Sequence, residues 1–201
     1  MRPIILITSC NRDRWNGWQH SAEMSWYAEW HGLVDCKFVI GRGCEYPQPY
    51  ELVVDEKDEY ADVPAKNQAA RKWALDHQYD YMFHACVDTW IHVPRLLSSE
   101  YGNNPCTGFL YGGNPSGGLG YWLSAKAAHA LLLAPPAPVP EDVWVGHSLR
   151  DAGLALTHDP RYSSPKNDPI PPDMITMHLS QGTGNFDPQW MHDCHKEHAN
   201  A

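Results

Sequence analysis

The stretch MFHACVDTWIHVPRLL, residues 82–97, decides how this chain folds. Its first part is a continuous apolar run that predicts a buried strand, and the run ends at Asp88, before a helix-like segment. PIILIT at residues 3–8 has the same pattern, which is typical of a central parallel strand buried on both faces. Asp88 therefore stands at the end of a strand, where a carboxylate either caps the following helix or binds a ligand.

Strand and helix patterns alternate along the chain. Strands are predicted at 3–8, 36–41, 51–55, 79–86, 106–113, 154–158 and 174–180, and helices at 21–32, 64–77, 93–101 and 142–153. A strand followed by a helix is predicted within 118–134. Asn11 to Gly17 has a polar, loop-like composition. This alternation predicts an α/β fold, with a mixed, mostly parallel central sheet in a single domain over residues 1–185. Residues 186–201 are expected to form a tail.

Composition excludes several classes of protein. The 201 residues carry a formal charge of −9, which argues against a broad phosphate-binding surface. The six cysteines form no CxxC pair, which indicates reduced thiols in a cytoplasmic protein. Since no stretch approaches the roughly 20 apolar residues of a membrane span, no membrane partner is expected.

Two residues are candidate metal ligands. Asp88 can hold Mg²⁺ or Mn²⁺ that bridges a diphosphate, as an alternative to capping a helix. One carboxylate alone is too few protein ligands for a metal site, so a second ligand is needed. His178, in MITMHLS at 174–180, is the candidate, although a single histidine in a strand is more often a packed or exposed residue.

A pair of acids begins the most distinctive segment, VPEDVWVGHSL at 139–149. Glu141 and Asp142 follow a proline-rich loop and open a predicted helix, whose dipole favours acids in the first turn. Alternatively, one of the two holds the structure while the other acts as a general base for a hydroxyl group.

Two further motifs have structural alternatives. GGNPSGGLGYW at 112–122 contains five glycines, which either make turns or let the backbone approach a ligand, and it matches no phosphate-loop signature. MHDCHKEH at 191–198 places three histidines and Cys194 together. These residues do not converge on one helical face, so a solvated tail is predicted rather than a zinc site.

Four segments together resemble the β-1,3-galactosyltransferase/Fringe-like glycosyltransferases of family 31. They are YDYMFHACVDTWIHVPRLL, GGLGYWLSAKAAHALL, PEDVWVGHSLRDAGL and ITMHLS, in the family's order. DEYADVPAKNQAARKWA also resembles the segment that leads into the family's lysine-bearing helix, with Lys66 at the lysine. The resemblance covers roughly residues 50 to 180.

The resemblance implies a glycosyltransferase-A (Rossmann-like) fold, a nucleotide-sugar donor (usually a UDP-sugar), Mn²⁺ or Mg²⁺ and inversion at the anomeric carbon. Asp88 matches the last acid of the family's metal-binding triplet, and His178 matches its late histidine. Asp142, with Glu141 beside it, matches the acid that deprotonates the acceptor. The predicted donor-binding residues are Thr8, Asn11, Arg12, Lys66, Asp88, Gly118 and Tyr121.

The chain also departs from the family. The triplet is Cys86-Val87-Asp88, so two acids are missing, and the arginines of the family's first helix are absent, with Arg12 and Arg14 as the nearest substitutes. The missing acids leave open a non-catalytic relative that binds nucleotide-sugars or carbohydrates. The membrane anchor and stem of Golgi members are also missing, which suggests a bacterial or viral enzyme.

The acceptor is predicted to be a glycan or a hydroxylated DNA base. A base acceptor requires a basic patch at the pocket mouth, for which the candidates are Arg12, Arg14, Arg42, Arg71 and Lys72. Tyr111, Trp122 and Trp144 are candidates for stacking on sugars, with core packing as the alternative.

Overall fold

A computed structural model describes residues 1–15, 17–135, 137, 139–163, 170–180 and 186–200. The predicted α/β class is confirmed: a seven-stranded sheet has the strand order β10-β6-β9-β4-β1-β2-β3. β9 runs antiparallel to both of its neighbours, β4 and β6, and the other pairings are parallel. The strands of this sheet are β1 (Pro3–Thr8), β2 (Asp35–Ile40), β3 (Glu51–Val53), β4 (Tyr81–Cys86), β6 (Cys106–Gly108), β9 (Tyr121–Ser124) and β10 (Leu156–His158).

Eight α-helices and two small sheets complete the described chain. The helices are α1 (Asn11–Trp15), α2 (Trp18–Ala22), α3 (Ala28–Trp30), α4 (Val63–Asp76), α5 (Val93–Ser98), α6 (Ala125–Leu133), α7 (Glu141–Asp151) and α8 (Pro188–His198). A three-stranded sheet contains β11 (Tyr162–Ser163), β12 (Thr176–His178) and β5 (Thr89–Ile91), and a hairpin pairs β7 (Leu110–Tyr111) with β8 (Asn114–Pro115).

The apolar run of β1 is buried on both faces of the sheet. Ile4 and Leu6 pack in one cluster with Ala70 of α4, whereas Ile5 and Ile7 pack in another on the opposite face. Successive side chains of a strand point to opposite faces, so a strand covered on both sides needs apolar residues throughout. This explains why the sequence signal of β1 is continuous and not alternating.

The register of β1 on β4 brings two strand ends together. Thr8 lies opposite Cys86, and the Val87 amide donates to the Thr8 carbonyl over 3.1 Å. The segments that follow the two strands, residues 9–13 and 87–88, therefore leave the sheet side by side at its carboxyl edge, where ligands of such sheets bind.

Asp88 does not cap a helix. The chain continues from Asp88 directly into β5, and helix α5 begins only at Val93. The cap of α5 is His92, whose Nδ1 accepts a hydrogen bond from the Arg95 amide at 3.3 Å. The predicted alternative of a helix-capping Asp88 is therefore wrong, because a short strand intervenes.

Two other segments differ from the sequence-based prediction. The stretch predicted as a loop from Asn11 to Gly17 begins with helix α1. The helix predicted over 21–32 contains a π-helical turn, Glu23–Tyr27, in which the Ser25 hydroxyl donates to the Ser21 carbonyl. A side-chain bond of this kind competes with the helix's own ladder and distorts it.

The C-terminal segment is packed against the domain. Met191 and Cys194 of α8 are buried in the largest hydrophobic cluster, beside Trp90. The ring of His195 accepts a hydrogen bond from Trp90 Nε1 and lies 2.9 Å from a Glu29 carboxylate oxygen. The expectation of a solvated tail is therefore wrong, because α8 supplies an apolar face to the core. Within the described ranges, no three His, Cys, Asp or Glu side chains are grouped to hold a metal.

Every helix in the described parts of the chain is too short or too polar to cross a membrane.

The packing of α8 yields a test of stability. Met191→Ala removes a fully buried side chain and is expected to lower the free energy of unfolding by about 2 to 4 kcal/mol. Urea denaturation measures this change. The control is Lys196→Ala, because Lys196 is exposed on the same helix and its removal should cost less than about 0.5 kcal/mol. Equal effects of the two substitutions would contradict a packed α8.

Candidate active site

Asp88 and His178 meet at the carboxyl edge of the sheet. β12 pairs antiparallel with β5 so that His178 lies opposite Thr89, next in sequence to Asp88. His178 Nε2 is 3.1 Å from Asp88 Oδ2, and the two side chains are 18% and 11% exposed. The pair is thus mostly buried yet open to a ligand, and residues 90 positions apart in sequence form one site.

Ser180 completes this cluster. It lies two residues beyond His178, and its hydroxyl is 3.1 Å from His178 Nε2. Burial alone would raise the pKa of Asp88, but hydrogen bonds from His178 and Ser180 outweigh burial and lower the pKa below its ordinary value. The Asp88 carboxylate is therefore ionised at neutral pH.

The glycine-rich segment packs directly against this cluster. A Cβ on Gly118 would lie 2.5 Å from His178 Cε1, so only glycine leaves room for the imidazole. The segment is held in place by the Thr89 hydroxyl, which donates to the Gly118 carbonyl at 2.7 Å, and by the Thr176 hydroxyl, which donates to the Leu119 carbonyl at 2.6 Å. Backbone approach, one of the two interpretations of these glycines, is the one that the geometry favours.

The donor set of the cluster suits a hard divalent cation. A carboxylate and an imidazole nitrogen already face each other, and Mg²⁺ and similar ions commonly bind through one or two carboxylates while keeping waters and substrate phosphates. Cys86, which the sequence resemblance matches to the first position of the metal-binding triplet, donates to the Gly117 carbonyl at 3.7 Å. Burial and the nearby charge of Asp88 raise its pKa, so Cys86 remains a thiol and supplies no anionic ligand.

Asp142 packs against the same glycine-rich segment. A Cβ on Gly117 would be 3.8 Å from the Cβ of Asp142. Its Oδ1 accepts a hydrogen bond from the Val143 amide at 2.8 Å, and the side chain is partly exposed. Asp142 and His178 thus pack against neighbouring glycines, Gly117 and Gly118.

Glu141 has a different environment from its neighbour. Its carboxylate forms an ion pair with Arg71, and it accepts hydrogen bonds from the Tyr121 hydroxyl at 2.9 and 3.0 Å. Both partners are buried, and the Glu141 side chain is 9% exposed. The adjacent acids therefore divide as the sequence suggested: Glu141 is bound to the protein, and Asp142 is the one available to a ligand.

Several predicted contact residues lie below the site surface. Tyr121 is buried, and its hydroxyl bonds to Glu141 and Arg71, so it reaches a ligand only through its neighbours. Trp122 and Trp144 are also buried, so they pack in the core and offer no surface to a sugar. Tyr111, at the tip of the β7–β8 hairpin, is exposed.

Lys66 belongs to a cluster at the ends of β1 and β2. Its ammonium is 2.7 Å from Asp58 Oδ1 and is 2% exposed. Asp58 also accepts hydrogen bonds from the backbone amides of Asn11 and Gly41. Burial opposes ionisation of Asp58, but the bonds from Lys66 and these amides outweigh it and lower the pKa. One carboxylate thereby joins helix α4 to the segments after both strands.

The other residues predicted on the donor side lie along the same edge. The Thr8 hydroxyl donates to the Asn67 side chain at 2.8 Å, and Arg12 is exposed on α1. Asp13, also on α1, is buried and keeps a carboxylate oxygen without a hydrogen-bond partner. Burial raises the pKa of Asp13, and the charges of Asp88 and Lys66 both reach it. Asp13 therefore lies between the lysine cluster and the Asp88 cluster.

The sequence analysis missed Ser180, Asp13 and Asp58 in this region, and it assigned Arg71 to a surface basic patch. Ser180 was detectable, since positions 178 and 180 share one face of an extended segment. Asp13, Asp58 and Arg71 were not, because an acid in a polar loop and an arginine in a helix are ordinary surface residues by pattern, and only tertiary contacts bury them.

The predicted basic patch is not assembled. Arg71 is completely buried and paired with Glu141. Lys72 pairs with Asp76 on the exposed face of α4, and Arg42 pairs with Asp55. Among those candidates whose side chains are described, Arg12 alone lies exposed on the segment that follows β1.

Comparison with solved structures shows which fold this is. A glycosyltransferase involved in the glycosylation of the major capsid of PBCV-1 matches with a TM-score of 0.61 and 12% identity, over 98% of this chain and 100% of that one. A protein described as a nucleotide-diphospho-sugar transferase from Desulfovibrio desulfuricans G20 matches with a TM-score of 0.53 and 12% identity, over 79% and 80% of the two chains. Drosophila β-1,4-galactosyltransferase 7, in a complex with manganese, UDP-Gal and xylobiose, matches with a TM-score of 0.51 and 14% identity, over 95% and 79%.

These similarities establish the fold of the glycosyltransferase-A nucleotide-sugar transferases, as the sequence predicted. No family model matches the chain, and no curated protein matches its sequence. The narrower resemblance to the family-31 enzymes stays a prediction.

The contact between Gly118 and His178 gives a test of the metal site. Gly118→Ala should displace the imidazole and weaken binding of Mn²⁺ by about 10-fold or more, as second-shell changes commonly do. Electron paramagnetic resonance of free Mn²⁺ measures the affinity. Gly117→Ala is the matched control, since its Cβ would meet only an ordinary contact at 3.8 Å. Unchanged affinity in Gly118→Ala would exclude His178 as a ligand.

The lysine cluster gives a test with pH. Because the pKa of Asp58 is lower in the folded state, its stabilisation is complete above the ordinary value of 3.8 and is lost as pH falls below it. Asp58→Asn leaves the buried Lys66 without its partner and should cost on the order of 3 kcal/mol at neutral pH.

Urea midpoints between pH 2 and pH 7 measure both effects, and the Asp58→Asn curve should be flatter at the acid end. Asp55→Asn, at an exposed acid nearby in sequence, should follow the wild-type curve. Parallel curves for wild type and Asp58→Asn would contradict the role given to Asp58.

Proposed function

We propose that this chain is a glycosyltransferase that moves a sugar from a UDP-sugar to an acceptor hydroxyl with inversion. The observation that carries the proposal is that His178, which is paired with Asp88, and Asp142 pack against neighbouring glycines of one segment, Gly118 and Gly117. In a glycosyltransferase-A fold, this arrangement brings a diphosphate-binding group and a proton acceptor to the same glycine-rich segment. Asp142→Asn and Asp88→Ala should accordingly affect different steps.

Asp88 and His178 are the residues that would hold Mn²⁺ or Mg²⁺. A cation bound there would neutralise the charge that develops on the departing diphosphate. The ionised carboxylate and Nε2 of the adjacent imidazole would supply the protein ligands, and Nε2 would exchange its contact with the Ser180 hydroxyl for the cation. With two protein ligands, the remaining positions are available to the diphosphate and to water.

The edge formed by the ends of β1 and β2 is the proposed binding region for the nucleotide. Lys66 and Asp58 hold the segment that carries Asn11 in place, and Thr8 and the exposed Arg12 border the same edge. A UDP-sugar that spans from this edge to Asp88 would place its sugar over Gly118.

Asp142 is the proposed general base. The acceptor oxygen attacks the anomeric carbon, the bond from that carbon to the diphosphate breaks, and the acceptor proton passes to the Asp142 carboxylate. Glu141 is bound to Arg71 and Tyr121, so it holds the helix and does not exchange protons with the acceptor.

The proposed acceptor is a glycan. The galactosyltransferase with the similar fold binds xylobiose, and the exposed ring of Tyr111 lies on the hairpin that packs on α7, the helix of Asp142. Such rings stack on sugars. A DNA-base acceptor is not favoured, because Arg71 is buried and the predicted basic patch does not form.

A cytoplasmic setting is part of the proposal. The six cysteines form no disulfide with one another, and reduced thiols are the rule in that compartment.

Release of UDP from a panel of UDP-sugars, with and without Mn²⁺, tests the function. Wild type should release UDP slowly from one donor by hydrolysis. Release should be faster when an acceptor glycan is present, because the sugar is then transferred to the glycan. Asp88→Ala should lose Mn²⁺-dependent release, because the diphosphate loses its charge neutralisation. Asp142→Asn should retain binding of UDP and lose about 100- to 10,000-fold in transfer, the range of general-base catalysis.

Asp151→Asn is the matched control, since Asp151 is an exposed acid at the other end of the same helix. If wild type and Asp142→Asn both bind UDP-sugars but neither releases UDP, the protein is a non-catalytic relative and not a transferase. Absence of both binding and release would refute the proposed donor site.

A further inference from the structure

We infer that Arg71 is a positioning residue for the general base: through Glu141 and Tyr121 it fixes the first turn of helix α7 and thereby the location of Asp142. This inference rests on the proposed function of Asp142. It concerns a residue that touches no ligand and that no sequence motif singled out.

Arg71 is a buried cation with few partners. It is completely buried on α4, and its Nη2 donates to the Tyr121 hydroxyl at 2.9 Å and to Glu141 Oε1. Its Nη1 donates to the Gln68 side chain at 3.2 Å. A buried guanidinium is costly unless it is paired, so the carboxylate of Glu141 is held at this place by a strong electrostatic requirement.

The start of α7 has no cap from the residue before it. Its N-cap is Pro140, which forms no side-chain cap bond among the described residues, and the side-chain bond to a first-turn amide, from Val143 to Asp142, lies within the turn itself. Glu141 is the first residue of the helix and Asp142 the second. The bonds of Glu141 to Arg71 and Tyr121 therefore hold the first turn of α7 in place, as an N-cap side chain does in other helices.

A second contact joins Arg71 to the same helix. Its guanidinium lies 6.0 Å from the ring centre of Trp144, and Trp144 in turn donates from Nε1 to the Pro135 carbonyl at 2.8 Å. Arg71 thus contacts α7 at two of its first four residues. A rotation of the first turn would break the ion pair and leave the guanidinium unpaired.

The neighbouring histidine is no substitute for Arg71 as the cation that pairs with Glu141. His84 lies on the sheet below Tyr121, with its ring 5.7 Å from the Tyr121 ring, and neither of its nitrogens has a hydrogen-bond partner among the described residues. Burial and the neighbouring charge of Arg71 lower the pKa of His84, so it stays neutral and cannot pair with a carboxylate. Losing the guanidinium of Arg71 therefore leaves Glu141 with the Tyr121 hydroxyl and loosens the first turn that carries Asp142.

The experiment compares Arg71→Lys, Tyr121→Phe and the control Lys72→Met. Arg71→Lys keeps the positive charge but removes the planar guanidinium that binds both Glu141 and Tyr121. Tyr121→Phe keeps the packed ring and removes the hydroxyl. Lys72 is the adjacent, exposed cation on the same helix. The measurements are kcat, the donor KM, the melting temperature and the hydrogen exchange of the Trp144 amide, which donates to the Pro140 carbonyl across the first turn.

We expect Arg71→Lys to lower kcat for transfer by about 100-fold, the effect of a displacement of roughly 1 Å, with the donor KM changed less than about twofold. Tyr121→Phe, which removes one of the bonds to Glu141, should lower kcat by a smaller factor. Exchange at Trp144 should become about 10-fold faster in Arg71→Lys, since one strong charged hydrogen bond to the first turn is lost. Lys72→Met should leave all four measurements unchanged.

Two results would overturn the inference. The first is an unchanged kcat in folded Arg71→Lys and Tyr121→Phe. The second is a loss of kcat together with a higher donor KM and a lower melting temperature, which would indicate general disruption of the fold. Amide exchange separates this inference from the proposed function. Unaltered exchange at Trp144 in Arg71→Lys overturns the positioning role by itself. Faster exchange in a protein whose wild type transfers no sugar overturns the proposed function alone.

Discussion

The parallel register of β1 on β4 is the constraint on which the site depends. It sets Thr8 opposite Cys86, so that the segments after the two strands leave the same edge of the sheet as neighbours. Apolar packing holds β1 from both faces, with Ile4 and Leu6 in one cluster and Ile5 and Ile7 in the other. The lysine cluster and the Asp88 cluster become adjacent as a consequence.

Buried cations then fix what the sheet has brought together. Lys66 and Arg71 both lie on α4 and both are almost fully buried, five positions apart. Each has a carboxylate partner outside the helix: Asp58, 8 positions away, for Lys66 and Glu141, 70 positions away, for Arg71. Because an unpaired buried charge is far more costly than a paired one, each pair restricts its segment to one position. One helix thus organises the nucleotide edge and the start of α7.

Local sequence signals were sufficient for most of the fold. Continuous apolar runs such as β1 and β4 were recognisable because both of their faces are buried, and α4 was recognisable from its proline start and helix-forming residues. The signals failed for Asp88 and for residues 186–200. Strand β5 is three residues long and is stabilised by pairing with β12, which is distant in sequence. The apolar face of α8 is buried only because other elements of the fold form the surface on which it packs.

The sequence by itself determined the class of the sheet and the strand-end position of Asp88, because these follow from periodicity and from the order of residues along the chain. It left open which of Glu141 and Asp142 is held by the protein. Tertiary structure alone decided that His178 meets Asp88 and that Arg71 is buried against Glu141. Such contacts join residues 70 to 90 positions apart, and only strand register and helix packing set those distances.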